Sequence, residues 1–225
     1  DLEGKRILIT AGGTREAIDD VRFISNRSSG NQGLALANLA SSRGAEVTLI
    51  SANIAPEKLQ QLHGIKVISV VNTEDLQRTL ADEFPNCDVL IMAAAVSDAK
   101  PINSSGKVKK ENYQELKLVP TPDLLADIAK NRTSQLLIGF AAEEKANLLS
   151  EGERKLVQKG LDLIYANDIS ALKKLKIQEN NLERLAKVRL NIPEQKKEEN
   201  FAGQKNRRKA QAMPTESELR RNKKL

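Results

Sequence analysis

The stretch RILITAGG, residues 6–13, determines how the rest of the sequence is interpreted. An almost continuous apolar run that ends in two glycines is typical of a strand buried on both faces and followed by a tight turn. Comparable runs follow at residues 46–51, 65–71, 88–95, 135–140 and 161–166. We therefore predict six parallel strands, because strands covered on both faces lose the alternation of apolar and polar residues.

Helical segments are predicted between these strands, near residues 30–43, 56–62, 74–83, 123–130 and 143–159. Alternation of strand and helix indicates right-handed βαβ units. The predicted fold is a doubly wound, mostly parallel, Rossmann-like α/β sheet with helices on both faces. We assign residues 1–170 to this domain and residues 171–225 to a basic C-terminal tail that is divergent or poorly ordered.

Charge is distributed unevenly along the chain. The 36 basic and 30 acidic residues give a net charge of +6, but residues 1–170 contain 20 basic and 23 acidic residues and residues 171–225 contain 16 and 7. The positive charge therefore belongs to the tail, for which a solvated end is the default interpretation. Aromatic residues make up 3% of the chain, too few for a surface that stacks bases, so we expect no nucleic-acid partner.

The single cysteine, the single histidine and the lack of long apolar runs argue against several classes of protein. Cys87 is the single cysteine, so no disulfide can form within the chain, and His63 is the single histidine, which argues against a Ser-His triad and a zinc site. No apolar run approaches the length of a membrane span, and the first residues lack the features of a signal peptide. We therefore expect a cytoplasmic protein without a membrane contact.

The residues after the first strand form a candidate anion site. Gly12 and Gly13 lead into a long loop that ends in Ser28-Ser29-Gly30 before a predicted helix, and a helix N-terminus favours negative charge. The alternative is steric, because glycines also permit a tight turn. The glycine spacing does not match the dinucleotide fingerprint, and the second strand ends in Ser51 rather than in an acid that would hold a ribose. An NAD(P)-binding oxidoreductase stays as one alternative function, and a non-catalytic nucleotide-binding module, suggested by the basic tail, as another.

Other candidate residues also follow strands, at the edge of the sheet where ligands bind in folds of this type. Asp98 could hold a sugar hydroxyl or a metal, or cap a loop. Lys107 belongs to a lysine cluster that is either a phosphate clamp or a solvated surface. Phe140 could support a nucleobase or belong to the core, and Lys155 and Lys159 share one helix face. Position alone leaves both interpretations open for each residue.

Seven motifs occur along the chain, namely AGGTRE (11–16), VRFISNRSSG (21–30), AAAVSD (93–98), KVKK (107–110), PTPD (120–123), GFAAE (139–143) and AND (166–168). In this order and spacing they resemble the phosphopantothenate–cysteine ligase family, whose domain in many bacteria follows a flavin-dependent decarboxylase in one chain. The resemblance covers residues 4–170, and we find no further motif beyond them.

The resemblance implies a two-step ligation in coenzyme A biosynthesis. In it, 4′-phosphopantothenate reacts with CTP to give an acyl cytidylate and pyrophosphate, and L-cysteine then displaces CMP to form 4′-phosphopantothenoylcysteine. Mg²⁺ is expected on the triphosphate and not at a dedicated protein site, whereas FMN would belong only to the fused decarboxylase domain. The family also implies a homodimer, and the start of the sequence looks like a junction after such a decarboxylase.

The resemblance also implies roles for individual residues. Asn26 would hold the acyl cytidylate, and Lys107 would act at the triphosphate. The residues implied in nucleotide binding are Gly12, Asp98, Lys107, Pro122, Asp123, Leu124, Leu125, Phe140, Lys155 and Lys159. The residues implied in binding 4′-phosphopantothenate are Arg22, Asn26 and Ala94.

Four positions depart from the family's usual pattern. Ala17 and Asp20 stand where prolines are frequent, which is expected to loosen their loop. Asn31 replaces a frequent lysine and removes a positive charge from the anion site, and Ala99 replaces an aromatic residue. We expect these departures to weaken binding without abolishing the site.

Overall fold

Ten strands and five helices make up the part of the chain that the structure, a computed structural model, describes, namely residues 1–102, 106–109 and 115–168. The strands are β1 (Arg6–Gly12), β2 (Arg15–Ala17), β3 (Phe23–Ser25), β4 (Glu46–Ala52), β5 (Ile65–Val70), β6 (Val89–Met92), β7 (Ala99–Pro101), β8 (Leu118–Pro120), β9 (Leu136–Glu143) and β10 (Leu163–Asp168). The helices are α1 (Asn31–Ser42), α2 (Pro56–Leu59), α3 (Thr73–Glu83), α4 (Leu124–Asn131) and α5 (Leu148–Gln158).

The central sheet contains the six predicted strands, all parallel, in the order β10-β9-β6-β1-β4-β5. Numbered within the sheet, this is the order 3-2-1-4-5-6 of doubly wound folds. The direction of winding reverses between β1 and β6, and ligands of such sheets bind in the crevice beyond the carboxyl ends of those strands. The predicted fold class is confirmed.

Helices cover both faces of the sheet. Leu8 in β1 belongs to a core with Leu76 and Leu80 of α3. Three residues further along the same strand, Ala11 contacts α1, because a Cβ on Gly33 would lie 2.3 Å from the Ala11 Cβ. Residues an odd number apart on a strand point to opposite faces, so α1 and α3 pack on opposite sides of β1. Glycine at position 33 lets α1 approach the sheet closely.

Several predicted boundaries differ from those observed. The helix expected over residues 143–159 begins only at Leu148, because β9 continues to Glu143 and a 3-10 turn occupies Lys145–Asn147. Two antiparallel ribbons were not predicted, β2–β3 and the pair of β7 with β8. The boundary placed at residues 170 and 171, and the whole predicted tail, lie outside the described residues. Within the described ranges, each helix is too short or too polar to cross a membrane.

Candidate functional site

The floor of the candidate site lies where β1 and β6 end, at the point where the winding reverses. The two strands continue as a parallel bridge between Gly13 and Ala95. The N–H of Ala95 donates to the carbonyl of Gly12 at 2.8 Å, and the N–H of Thr14 donates to the carbonyl of Ala95 at 3.3 Å. The N–H of Ala94 donates to Thr10 Oγ1 at 3.1 Å. These bonds join the AGGTRE and AAAVSD motifs.

Glycines 12 and 30 bring the N-terminus of α1 to this edge. Both have positive φ, 90° at Gly12 and 73° at Gly30, a region that favours glycine. A Cβ on Gly12 would lie 2.0 Å from the carbonyl oxygen of Ala52, and a Cβ on Gly30 would lie 3.3 Å from the nitrogen of Gly12. The steric interpretation of these glycines is therefore supported, and it also places a helix N-terminus beside the end of β1. Gly30, and not Ser28 or Ser29, is the N-cap residue of α1.

Asn26 is held over this floor by its own side chain. Its Nδ2 donates to the carbonyl of Val96 at 3.0 Å, and Ser25 Oγ donates to the carbonyl of Thr14 at 2.7 Å. A primary amide has two N–H donors, so the bond to Val96 leaves a second donor on an exposed side chain. Asn26 is thus joined to the segment that carries Asp98.

Asp98 and the PTPD motif are connected through the backbone. The N–H of Thr121 donates to the carbonyl of Asp98 at 3.0 Å, and the Thr121 hydroxyl donates to the carbonyl of Ser97. The Asp98 carboxylate is exposed and can accept hydrogen bonds from a ligand. Pro122, also exposed, follows directly and leads into α4.

Asp123 is the N-cap of α4 and the partner of a lysine from another helix. Its carboxylate accepts a hydrogen bond from the Ala126 N–H at 3.2 Å and lies 2.9 Å from the ammonium of Lys159. Partial burial raises the pKa of the Asp123 carboxyl, but the hydrogen bonds from Lys159 and Ala126 outweigh it and the pKa is lowered. The neighbouring side chains of Leu124 and Leu125 are buried in the core, so only their backbones could contact a ligand.

Phe140 and Lys155 belong to the β9 side of the site. The Phe140 ring packs on Tyr165 with centroids 5.7 Å apart, and Lys155 forms an ion pair with Glu143. A Cβ on Gly139 would contact Leu125, so the adjacent Phe140 points to the other face of β9. Phe140 and Leu125 therefore do not share one face of the sheet.

Arg22 contacts the segment that carries Lys107. Lys107 is exposed, and the carbonyl of its neighbour Val108 accepts a hydrogen bond from Arg22 Nη2 at 2.9 Å. Arg22 also forms an ion pair with Asp19. The contacts give Arg22 a part in holding the lysine-bearing segment, and its binding of 4′-phosphopantothenate stays a prediction.

A buried polar network beneath the site was not predicted. Glu16 is 4% exposed, and its carboxylate accepts hydrogen bonds from the Thr73 N–H at 3.1 Å and hydroxyl at 2.7 Å. Thr14 Oγ1 in turn accepts from the Ser97 N–H at 3.0 Å. These bonds fix the start of α3 and the AAAVSD segment against β2. Glu16 belongs to the AGGTRE motif, but no sequence signal pairs it with Thr73, which lies 57 residues away.

One of the departures from the family pattern is compensated by a residue from a different element. Lys58 of α2 places its ammonium 2.6 Å from Asn31 Oδ1 and 3.3 Å from the carbonyl of Ser29. A positive charge is therefore present beside residue 31, although residue 31 itself is neutral. No cluster of three or more His, Cys, Asp and Glu residues that could hold a metal occurs within the described ranges.

Most of the predicted site residues lie along one connected path. Direct contacts link the segments of Gly12, Asn26, Ala94, Asp98 and Asp123, and the ion pair adds Lys159. Lys107 joins through the loop that precedes Asn26, whereas Phe140 and Lys155 contact residues of β9 and β10. The fold and this path define a doubly wound α/β domain with a candidate ligand site at the switch point of its sheet.

The chain belongs to a known family, the DNA/pantothenate metabolism flavoprotein C-terminal domain, which matches residues 2–206. The family indicated by the motifs is confirmed, but the match does not end at residue 170 as the motifs predicted. The chain is 38% identical over 193 residues to the coenzyme A biosynthesis bifunctional protein CoaBC of Mycobacterium bovis, covering 80% of this chain and 46% of the relative. It is 40% identical over 173 residues to CoaBC of Bacillus subtilis, covering 76% and 42%.

A solved structure gives the same result for the fold. The crystal structure of the C-terminal domain of a CoaBC protein superimposes with a TM-score of 0.63 at 39% identity, covering 74% of this chain and 79% of that one. This chain spans less than half the length of the two curated relatives. What the full-length relatives do is therefore carried over to it only as a proposal.

Proposed function

We propose that this domain is a CTP-dependent phosphopantothenate–cysteine ligase of coenzyme A biosynthesis. The observation that carries the proposal is the hydrogen bond from Asn26 Nδ2 to the Val96 carbonyl, at 3.0 Å. It fixes the VRFISNRSSG loop above the point where β1 and β6 end, which is the ligand crevice of a doubly wound sheet. The named activity of the relatives, coenzyme A biosynthesis, supports the same proposal.

In the first step, a carboxylate oxygen of 4′-phosphopantothenate attacks the α-phosphorus of CTP. A bond forms between that oxygen and phosphorus, the bond from phosphorus to the bridging oxygen breaks, and pyrophosphate leaves with the electron pair. The triphosphate enters as its Mg²⁺ complex, so the ion belongs to the substrate. The exposed ammonium of Lys107 is available to stabilise charge that develops on the phosphates.

In the second step, the amine of cysteine attacks the acyl carbon of the cytidylate. The carbon–nitrogen bond forms, the carbon–oxygen bond breaks and CMP leaves with its electron pair, and the proton lost by the amine passes to solvent. The free N–H of the Asn26 amide can donate to the oxygen that becomes negative in this step, and a preorganised donor of this kind stabilises the transition state. The bond to Val96 supplies the preorganisation.

The nucleotide is proposed to lie between the ends of β6, β9 and α4. Lys155 and Lys159 are already paired with Glu143 and Asp123, so a triphosphate has to compete with these carboxylates for them. Phe140 is proposed to contact the nucleotide from the face of β9 opposite to Leu125, where its ring packs on Tyr165.

Release of pyrophosphate tests the proposal. We expect release from CTP only when 4′-phosphopantothenate is present, limited to one equivalent per site without cysteine and continuous with cysteine. Replacing CTP by ATP under the same conditions measures the nucleotide preference. Release that does not depend on 4′-phosphopantothenate would reject the ligase, and NAD(P) binding by calorimetry would favour the oxidoreductase. Against the oxidoreductase, β4 ends beside the buried Ser51 rather than an exposed acid.

A homodimer is also proposed, formed through the two ribbons. Large apolar side chains are exposed on both, including Phe23 at 50% and Leu118 at 51%, with Val21 at 62% beside β3. Apolar surface concentrated in this way is typical of an interface. We expect Phe23→Asp to shift the protein to monomer in analytical ultracentrifugation, whereas Leu149→Asp, at a position 79% exposed on α5, leaves the dimer unchanged. A wild-type monomer at working concentration would contradict the proposal.

Fusion to a flavin-dependent decarboxylase, which would carry FMN, is proposed from the bifunctional relatives. Mass spectrometry of the native polypeptide tests it, and a native chain of only this length would reject it. A cytoplasmic location is supported by the single cysteine, buried and without a disulfide partner.

A further inference from the structure

Residues 106–109, here called the lysine segment, are held by two neighbouring carboxylates. Asp20 Oδ2 accepts a hydrogen bond from the Gly106 N–H at 3.1 Å, and Asp19 Oδ2 accepts one from the Val108 N–H at 3.1 Å. Both acids lie in the turn between β2 and β3, more than 80 residues earlier in the chain. Two backbone N–H groups of the segment are thus bound by the turn that precedes Asn26.

The Asp19 carboxylate is a rigid anchor. Its side chain is fully buried against the turn, and its Oδ1 accepts hydrogen bonds from the N–H groups of Val21 and Arg22, at 3.0 and 2.8 Å. Oδ2 accepts from Arg22 Nε at 3.1 Å. A buried carboxylate with this many donors stays ionised and fixed in position, so its contact with Val108 is a contact with an ordered group.

Both backbone hydrogen-bonding groups of Val108 are therefore bound by the turn. Its N–H donates to Asp19, and its carbonyl accepts from Arg22. Lys107 and Lys109, on either side of this anchored residue, are both exposed. Gly106 has a φ of 75°, and a Cβ there would meet nothing within 4 Å, so glycine serves the backbone turn that presents Gly106 to Asp20.

Asp20 is the residue of this arrangement that the sequence pattern would not suggest. Asp20 is exposed and stands where the family frequently has a proline. This difference was expected to loosen the loop. The structure shows a hydrogen bond in its place, because the carboxylate accepts the Gly106 N–H and a proline side chain has no acceptor. The bond lies immediately before Lys107 in the chain.

We propose that Asp20, together with Asp19, is a positioning residue that holds Lys107 in place for the nucleotide. The catalytic consequence rests on the proposed ligase function, whereas the attachment of the lysine segment does not. Asp20 acts only through the segment, so its loss increases the fraction of time that Lys107 spends away from the site.

The attachment is tested by limited proteolysis of the whole protein. We expect trypsin to cleave after Lys107 and Lys109 faster when the segment leaves the turn, and mass spectrometry identifies the products. Asp20→Ala removes the acceptor of the Gly106 hydrogen bond. We expect cleavage at these sites to become roughly fivefold faster, which corresponds to the loss of one hydrogen bond. Asp20→Asn keeps a side-chain oxygen and is expected to behave like wild type, as is Asp82→Ala, an exposed acid on α3. Cleavage of Asp20→Ala at the wild-type rate would overturn the attachment.

The positioning role is tested by a double-mutant cycle. We expect kcat for pyrophosphate release to fall about fivefold in Asp20→Ala and to recover in Asp20→Asn. In a Lys107→Ala background, Asp20→Ala is expected to cause no further loss, because it acts through Lys107. A full additional loss in that background, or an unchanged kcat in the single variant, would overturn the positioning role. If wild type releases no pyrophosphate, the ligase proposal fails, and the proteolysis result still decides the attachment.

Discussion

The ammonium of Lys159, at the C-terminal end of α5, lies 2.9 Å from the carboxylate of Asp123, at the N-terminal end of α4. The pair joins two helices, and its two residues are 36 positions apart in the sequence. Because the pKa of the Asp123 carboxyl is lowered, this carboxylate stays ionised at neutral pH. Its contribution to stability is lost as the pH falls from the ordinary aspartate pKa of about 3.9 through the lower folded value.

Lys159→Ala is expected to raise the KM for CTP about tenfold, because one charge-assisted contact to a phosphate is lost. Steady-state pyrophosphate release over a range of CTP concentrations measures the change. Lys130→Ala is the control, since Lys130 is a lysine of α4 that is paired with Asp127 at 2.7 Å. An equal rise in KM in both variants would show that the effect is one of net charge.

Asn26→Asp is expected to lower kcat by about a hundredfold or more, the range found when a transition-state donor is removed. The new carboxylate would face the Val96 carbonyl where Nδ2 now donates, and it would place a negative charge near an oxyanion. Asn38→Asp makes the same chemical change at an exposed position of α1 and should leave kcat unaltered. Wild-type turnover in Asn26→Asp would remove this residue from the mechanism.

Lys107→Ala is expected to slow pyrophosphate release by roughly a hundredfold if the lysine stabilises charge on the triphosphate. Single-turnover measurement with saturating CTP isolates the first step. Lys117→Ala, at an exposed lysine outside the lysine segment, serves as the comparison. A normal single-turnover rate without Lys107 would assign the activation step to other groups.

Gly12→Ala is expected to destabilise the fold by about 3 kcal/mol, since overpacking and a strained backbone each cost on the order of 1–3 kcal/mol. The added Cβ would lie 2.0 Å from the Ala52 carbonyl oxygen at a φ of 90°. Gly64→Ala separates the two effects, because Gly64 also has positive φ, 69°, but a Cβ there meets nothing within 4 Å. We expect it to cost only about 1 kcal/mol in urea unfolding. Equal costs would show that the close approach at Gly12 is not rigid.

Cys87 is expected to resist thiol reagents in the folded protein at pH 8. Burial raises the pKa of its thiol to about 11, and the thiolate is the reactive form. Ellman's reagent should label Cys87 slowly in buffer. It should label Cys87 rapidly in about 6 M guanidinium, where the protein is unfolded. The same shift lowers stability as the pH rises above about 8.5, where the unfolded thiol ionises, towards 11. Rapid labelling without denaturant would contradict the burial.

The sheet could be predicted because six long apolar runs mark buried strands. The β2–β3 ribbon could not, because each strand has three residues and only Glu16 among the β2 residues is buried. The turn that joins them is fixed by Asp19 and Arg22, a charged pair that looks like an exposed loop in sequence. Short polar elements of this kind are specified by tertiary contacts, which leave no periodic pattern.

Which segments of the candidate site lie together was easier to predict than how their side chains are arranged. The end of a strand pointed to Asp98 and the family resemblance to Asn26, and the structure connects their segments. Phe140 was grouped with Leu125, yet the alternation along β9 places its ring beside Tyr165. Lys58 could not be found, because its contact with Asn31 spans 27 residues and no motif surrounds it.

The bridge from Gly13 to Ala95 has a consequence for where any ligand can enter. In a doubly wound sheet ligands bind in the crevice outside the carboxyl ends of the two central strands, where the strand order reverses. Here peptide groups join the two strand ends, with the Ala95 N–H on the Gly12 carbonyl and the Thr14 N–H on the Ala95 carbonyl. We therefore expect a bound molecule to lie on top of this closed seam, in contact with the loops above it, and not between the two strands.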